Sequence, residues 1–136
     1  MSIEIQGLNQ VLQSLDIVDP QKLNVALGRA CALVERSAKQ KAPKDTGELR
    51  RSISSKVENG EGVVFTPLEY APYVEYGTGL FAENGGRTDV PWSYQDDSGE
   101  WHSTSGQHPQ PFMRPALDEN REEIIKIIKE GITGHD

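Results

Sequence analysis

The side chains able to do chemistry are few and scattered. The three histidines, His102, His108 and His135, fall in a glycine-rich stretch and at the end of the chain, and none is spaced from another as helix-borne metal ligands are. No zinc site is expected from them. Asp96, Asp97 and Glu100 gather as in a calcium loop, but they lack its alternating acidic positions and its glycine, and read as a solvated turn. Cys31 is the one cysteine, so no disulfide framework exists. It lies between Leu27 and Val34 on an apolar helical face with no histidine within 70 residues, which fits a small core thiol better than a nucleophile. Gly77-Thr78-Gly79 lacks the third glycine and preceding buried strand of a nucleotide loop, and no serine sits in a nucleophile elbow. Carboxylates are abundant, yet no pattern in the sequence assembles them into a pocket. No catalytic residue, cofactor site or metal site is expected, and the chain does not read as an enzyme.

Charge is more informative. The 136 residues are 35% hydrophobic and carry a formal net charge of −7, which suits one compact domain that avoids anionic surfaces overall. From Arg36 to Arg51, however, six basic residues (Arg36, Lys39, Lys41, Lys44, Arg50, Arg51) face two acids, a local net of +4. From Val57 to Met113, nine acids face only Arg87, a local net of −8. Two solvated faces of opposite sign would account for this. So would self-complementarity, in which one patch attracts a different patch on an identical neighbour and builds head-to-tail rings. The acidic Met1-Ser-Ile-Glu-Ile start and the lack of an apolar run of roughly 20 residues predict neither a signal peptide nor a membrane span, and hence a cytoplasmic protein.

The elements that must position these charges follow from periodicity. Ser2 to Gln6 alternates as a strand, and Leu8, Val11, Leu12 and Leu15 follow at helical spacing. Asp19-Pro20 supplies an N-cap and a proline at the first helical position. Leu23, Leu27, Ala30, Cys31, Val34 and Ala38 then line a long helix that Pro43 stops near Ala42. Asp45-Thr46-Gly47-Glu48 has capping-box spacing and predicts a helical turn through Leu49. Asn59-Gly60 between two alternating runs predicts a hairpin. Tyr70 to Gly77 reads as a short helix with a left-handed glycine cap and two of its three tyrosine rings in the core. Thr78 to Gln110 reads as a glycine-rich arm with a hairpin bearing Trp92, Tyr94 and Trp101. Leu117, Ile124, Ile125, Ile128 and Ile132 form the stripe of a second long helix that Gly131 would cap, and 133–136 read as a frayed tail. Helices and antiparallel strands without regular alternation make an α+β fold: two long amphipathic helices on a small antiparallel sheet, with a long arm.

Four blocks together carry a resemblance. They are Ala38-x-x-x-Ala42-Pro43, then Asp45-Thr46-Gly47-x-Leu49-x-x-Ser52-Ile53, then Tyr70-Ala71-x-Tyr73-Val74-Glu75-x-Gly77-Thr78, and last Gln110-Pro111-Phe112-Met113-x-Pro115-Ala116. In this order the chain resembles the minor tail or tail-completion (head–tail joining) proteins of long-tailed bacteriophages and prophages. The resemblance implies a small α+β structural protein of the virion neck that closes the tail tube and joins it to the head, commonly as a ring, of which a hexamer is one form. It implies no catalytic residue and no cofactor. It implies scaffolding roles for Thr46, Gly47, Tyr73, Gly77, Pro111, Phe112 and Pro115. Partners would be further copies and neighbouring neck or tail proteins, with DNA passing through the ring and no specific nucleic-acid or membrane binding. Assembly would take place in the host bacterial cytoplasm.

Segregated charge and two tryptophans on an arm then point to Lys44, Arg50, Arg51, Trp92, Asp96, Asp97 and Trp101 as subunit-interface residues. The alternative is a nucleic-acid-binding protein using the basic 36–51 segment, which lacks interleaved aromatic residues and any reading element.

Overall fold

A computed structural model of the chain describes residues 1–5, 19–44, 47–83 and 85–133. The predicted helical pattern of Leu8 to Leu15, the residues Asp45 and Thr46, and 134–136 lie outside the described residues. The described chain is α+β and divides into two compact units, Met1–Leu68 with Phe112–Asp136, and Glu69–Pro111.

In the first unit the long helix α1 spans Pro20–Lys41. Its N-terminus is as expected: Asp19 is extended and its side chain accepts a 2.9 Å hydrogen bond from the Gln21 amide, with Pro20 in the first turn. At the other end Ala42 is extended, as a residue before proline should be, and its amide still donates to Ala38 O. The buried face runs Leu23, Ala26, Leu27, Ala30, Cys31, Val34, Ser37 and Ala38. Each large apolar side chain among them contributes about 1.5–3 kcal/mol on burial.

The sheet packed on α1 has the order β1–β3–β2, antiparallel throughout, with β1 at Ser2–Ile5, β2 at Ser54–Glu58 and β3 at Glu61–Phe65. Ser2 and Ser54 both pair with Phe65 across the central strand. Asn59 (φ 52°) and Gly60 (φ 77°) turn the β2–β3 hairpin in the left-handed region that Asn-Gly accommodates. Gly62 lets the centre of the sheet approach α1, since a Cβ there would stand 2.5 Å from Cys31 Sγ.

The connection from α1 to β2 holds the short helix α2, Glu48–Ser52. Asp45, the acceptor of the predicted capping box, lies outside the described residues. The N-cap is Gly47 at φ 71°, without a side-chain cap, and the helix runs past Leu49 because Ser52 Oγ bonds both Leu49 O and Thr66 Oγ1.

The predicted second long helix is two helices, Met113–Asp118 (α4) and Arg121–Thr133 (α5). Asn120 makes the break, because its side-chain amide donates to Ala116 O at 2.7 Å, taking a carbonyl that a continuous helix would use. Its own carbonyl then receives the Ile124 amide and starts α5. Pro115 falls in the first turn of α4, where its missing N–H costs nothing. Gly131 is not a cap. It sits inside α5 where the helix crosses α1, and a Cβ on it would lie 2.6 Å from Ala26 Cβ. Ile124 and Ile128 are buried and Ile125 is 44% exposed.

The second unit holds α3, Ala71–Tyr76, and two small antiparallel ladders. β4 (Thr78–Gly79) pairs with β7 (Gly106–Gln107), and β5 (Trp92–Gln95) pairs with β6 (Trp101–Thr104). The tyrosines of α3 do not fill the core. Tyr70 and Tyr73 are exposed, and the buried residues are Ala71 and Glu75. Gly77 ends α3 at φ 82°, ψ 174°, outside the left-handed cap geometry expected for it. No described helix is long and apolar enough to cross a membrane.

Candidate functional site

The charge found in blocks along the sequence follows the two units. Residues 69–111 hold seven acids and only Arg87, a net of −6, so the other unit is close to neutral at −1. Within that near-neutral unit the basic residues fall into groups with different fates.

The expected basic segment is only partly available. Lys39 is 3.6 Å from Glu35, and Lys41 makes a 2.6 Å ion pair with Glu119. Arg50 is half-buried, with Nε and Nη2 out of reach of solvent and without a hydrogen-bond partner among the described residues. Arg36, Lys44 and Arg51 are exposed. The six cations of 36–51 thus differ in exposure and in pairing. A sharper feature lies on α1, where Lys22, Arg29 and Arg36 recur every seventh residue on the solvent face. The signal for it, a heptad spacing of cations opposite the apolar stripe, was available in the sequence.

In the acidic unit the β5–β6 hairpin sets its aromatic residues on two faces. Directly paired residues share a face, so Trp92, Tyr94, His102 and Thr104 lie together. Tyr94 stacks on His102 with centroids 5.3 Å apart, and the Arg87 guanidinium stands 4.7 Å from the Trp92 ring. Trp92 also occupies the space beside Gly79, where a Cβ would meet its ring at 2.7 Å. The other face is Ser93, Gln95, Ser103 and Trp101, so Trp101 stands among short polar residues and is 67% exposed. The two tryptophans that looked equivalent thus differ: Trp92 packs within its own unit and Trp101 faces solvent.

The turn of this hairpin brings Asp96, Glu100 and His102 within 4.8 Å of one another. Asp96 is already fully used. Its Oδ1 accepts from the Ser98 amide, the Ser98 hydroxyl and the Glu100 amide, and its Oδ2 lies 2.7 Å from His102 Nε2. The Ser98 hydroxyl, then His102 and the backbone amides, hold the Asp96 carboxyl at about 2. This geometry organises a turn. Asp97 and Glu100 are exposed beside it. Asp89, held by the Arg87 guanidinium at 2.9 Å, is likewise kept below its usual carboxylate range.

Of the residues marked as scaffolding, Phe112 is fully buried, Gly47 and Gly77 occupy positive-φ positions, and Tyr73 is exposed. Burial pushes the Cys31 thiol up to about 11, with Glu35 adding to the effect, which suits a core residue and not a nucleophile. Glu75, counted in the sequence with the solvated acids, is fully buried, and only its place in the Tyr-Val-Glu-Tyr-Gly block set it apart.

No curated protein and no solved structure matches the chain. Residues 7–77 match the family model described as "Bacteriophage HK97-gp10, putative tail-component", which takes in α1, α2, the β2–β3 hairpin and α3 through Gly77. That match covers just over half of the 136 residues, and the chain belongs to the HK97-gp10-like family of bacteriophage tail components.

Proposed function

We propose that this tail component is a non-enzymatic structural protein of the virion neck, completing the tail and joining it to the head as a ring of identical copies. The observation that carries the reading is the division of charge between the two units. A near-neutral body with exposed cations and an acidic unit with an exposed tryptophan are the unlike surfaces that a head-to-tail ring needs. Of the residues expected at the interface, Lys44, Arg51, Trp101 and Asp97 are exposed and free to take part in such contacts. Arg50, Trp92 and Asp96 support it from within their own units. Partners are further copies, six being one count that closes a ring, and adjoining tail proteins.

Deleting the gene and viewing the lysate by electron microscopy tests the reading. Separate full heads and tails support joining, overlong tails point to a terminator instead, and intact infectious virions refute a role in the particle. The nucleic-acid alternative is weakened by the loss of Lys39 and Lys41 to internal ion pairs. A gel shift at two salt concentrations separates the two, since phosphate contacts fall steeply with salt.

A further inference from the structure

Lys22, Arg29 and Arg36 lie on one line of α1 about 21 Å long. All three are exposed and pair with no other described residue. Val25, 65% exposed, projects between the first two. Beside it the seam between α1 and α5 opens into a shallow cavity of about 480 Å³, lined by Lys22, Val25, Ala26, Arg29 and Gly131, with Asp19 and Gln21 at its N-terminal end. Its floor is low because Ala26 and Gly131 are small and touch. An apolar floor with two cations on the rim, and the one rim carboxylate, Asp19, held as the helix cap by the Gln21 amide, has the chemistry to hold an aromatic ring flanked by carboxylates, through burial and cation–π attraction. The same chain offers that group: Trp101 stands 67% exposed at the hairpin, and the exposed carboxylates of Asp97 and Glu100 beside it pair with no described residue.

We propose that Trp101 of one copy seats in the α1–α5 groove of a second copy, with Asp97 and Glu100 against Lys22 and Arg29. This rests on the self-association reading and names the contact that builds it. Knob and groove are different surfaces, so the contact is heterologous and propagates from copy to copy. A phosphate track would leave both Val25 projecting between its cations and the exposed indole without a purpose.

Complementation between two variants of the full chain tests the contact. Trp101→Ala removes the knob and keeps the groove, whereas Lys22→Glu with Arg29→Glu spoils the groove and keeps the knob. All three positions are exposed, so both variants should melt as the wild type does, and Lys22→Glu adds an acid to the first helical turn, where it is favoured. In sedimentation equilibrium each variant alone should associate about tenfold or more weakly than wild type. An equimolar mixture should give a dimer and nothing larger, because one intact knob then meets one intact groove once. If the wild type oligomerises and Trp101→Ala does so equally well, or if the mixture stays monomeric, the contact is wrong while the ring reading stands. A wild type that stays monomeric at every concentration overturns both. If the charge reversal abolishes duplex DNA retention and leaves self-association intact, the ridge is a phosphate track and the proposal fails.

Discussion

Substituting Gly77 should damage the protein far more than substituting Gly85, although both have positive φ. Gly77 sits at φ 82°, ψ 174°, a region open essentially to glycine alone, and forcing another residue there costs about 1–3 kcal/mol. Space is also lacking. A Cβ would lie 2.9 Å from Gln107 O, 3.0 Å from Phe81 O and 3.0 Å from Pro109 Cδ, and two of these are backbone atoms that cannot swing aside. Relieving that crowding costs about another 1–3 kcal/mol, so Gly77→Ala should lose about 2–6 kcal/mol and Gly77→Val more. Gly85, at φ 73°, has nothing within 4 Å of the place a Cβ would take, so only the dihedral penalty of about 1–2 kcal/mol applies there. Stiffening of the unfolded chain returns about 0.4–1 kcal/mol at both sites. The unfolded-chain contribution cancels, and the expected gap between the two alanine variants is the crowding cost and any excess of dihedral strain, about 1–4 kcal/mol. Both tryptophans lie in residues 69–111, so tryptophan emission in urea reads the unit that holds both glycines. Equal losses in the two variants would refute the reasoning.

Gly131→Ala tests the crossing of α1 and α5. Helix propensity alone would stabilise by about 1 kcal/mol, but contact with Ala26 Cβ at 2.6 Å costs about 1–3 kcal/mol and should reverse the sign to a net loss of up to about 2 kcal/mol, read by far-UV circular dichroism in urea. For Asp96, a folded pKa of about 2 against the ordinary 3.8 means that its stabilisation of the hairpin turn is present above about pH 4 and lost as pH falls through the folded value. The amide shifts of Ser98 and Glu100 should titrate with that low midpoint, and a midpoint near 4 would show that the carboxylate does not cap the turn. Cys31, buried and raised to about 11, should react slowly with iodoacetamide at pH 8 in the folded protein and rapidly in urea.

What the sequence determined by itself is what local forces decide. Asp19-Pro20 and the residue before Pro43 set the ends of α1, because a cap acts within a few residues of itself. Asn59-Gly60 set the β2–β3 turn, because its backbone angles are open to few other pairs. Cys31 was legible as a core residue from its place on the apolar stripe. Other features depended on distant chain. Asn120 could have continued a helix or ended one, and the choice was made by its bond to Ala116 O. Gly131 matched a cap by position, yet the approach of Ala26 from a helix far earlier in the chain assigned it to packing. Tyr70 and Tyr73 had helical spacing on an apolar face, but too little chain covers α3 to bury them. The roles of Trp92 and Trp101 were the same in composition and separated only by strand register, since a shift of one residue in a two-residue repeat sends a side chain to the opposite face. Which cations remain free was likewise a tertiary matter, because it took Glu119, distant in the chain, to pair with Lys41, while Lys22, Arg29 and Arg36 stayed exposed on the solvent side of α1.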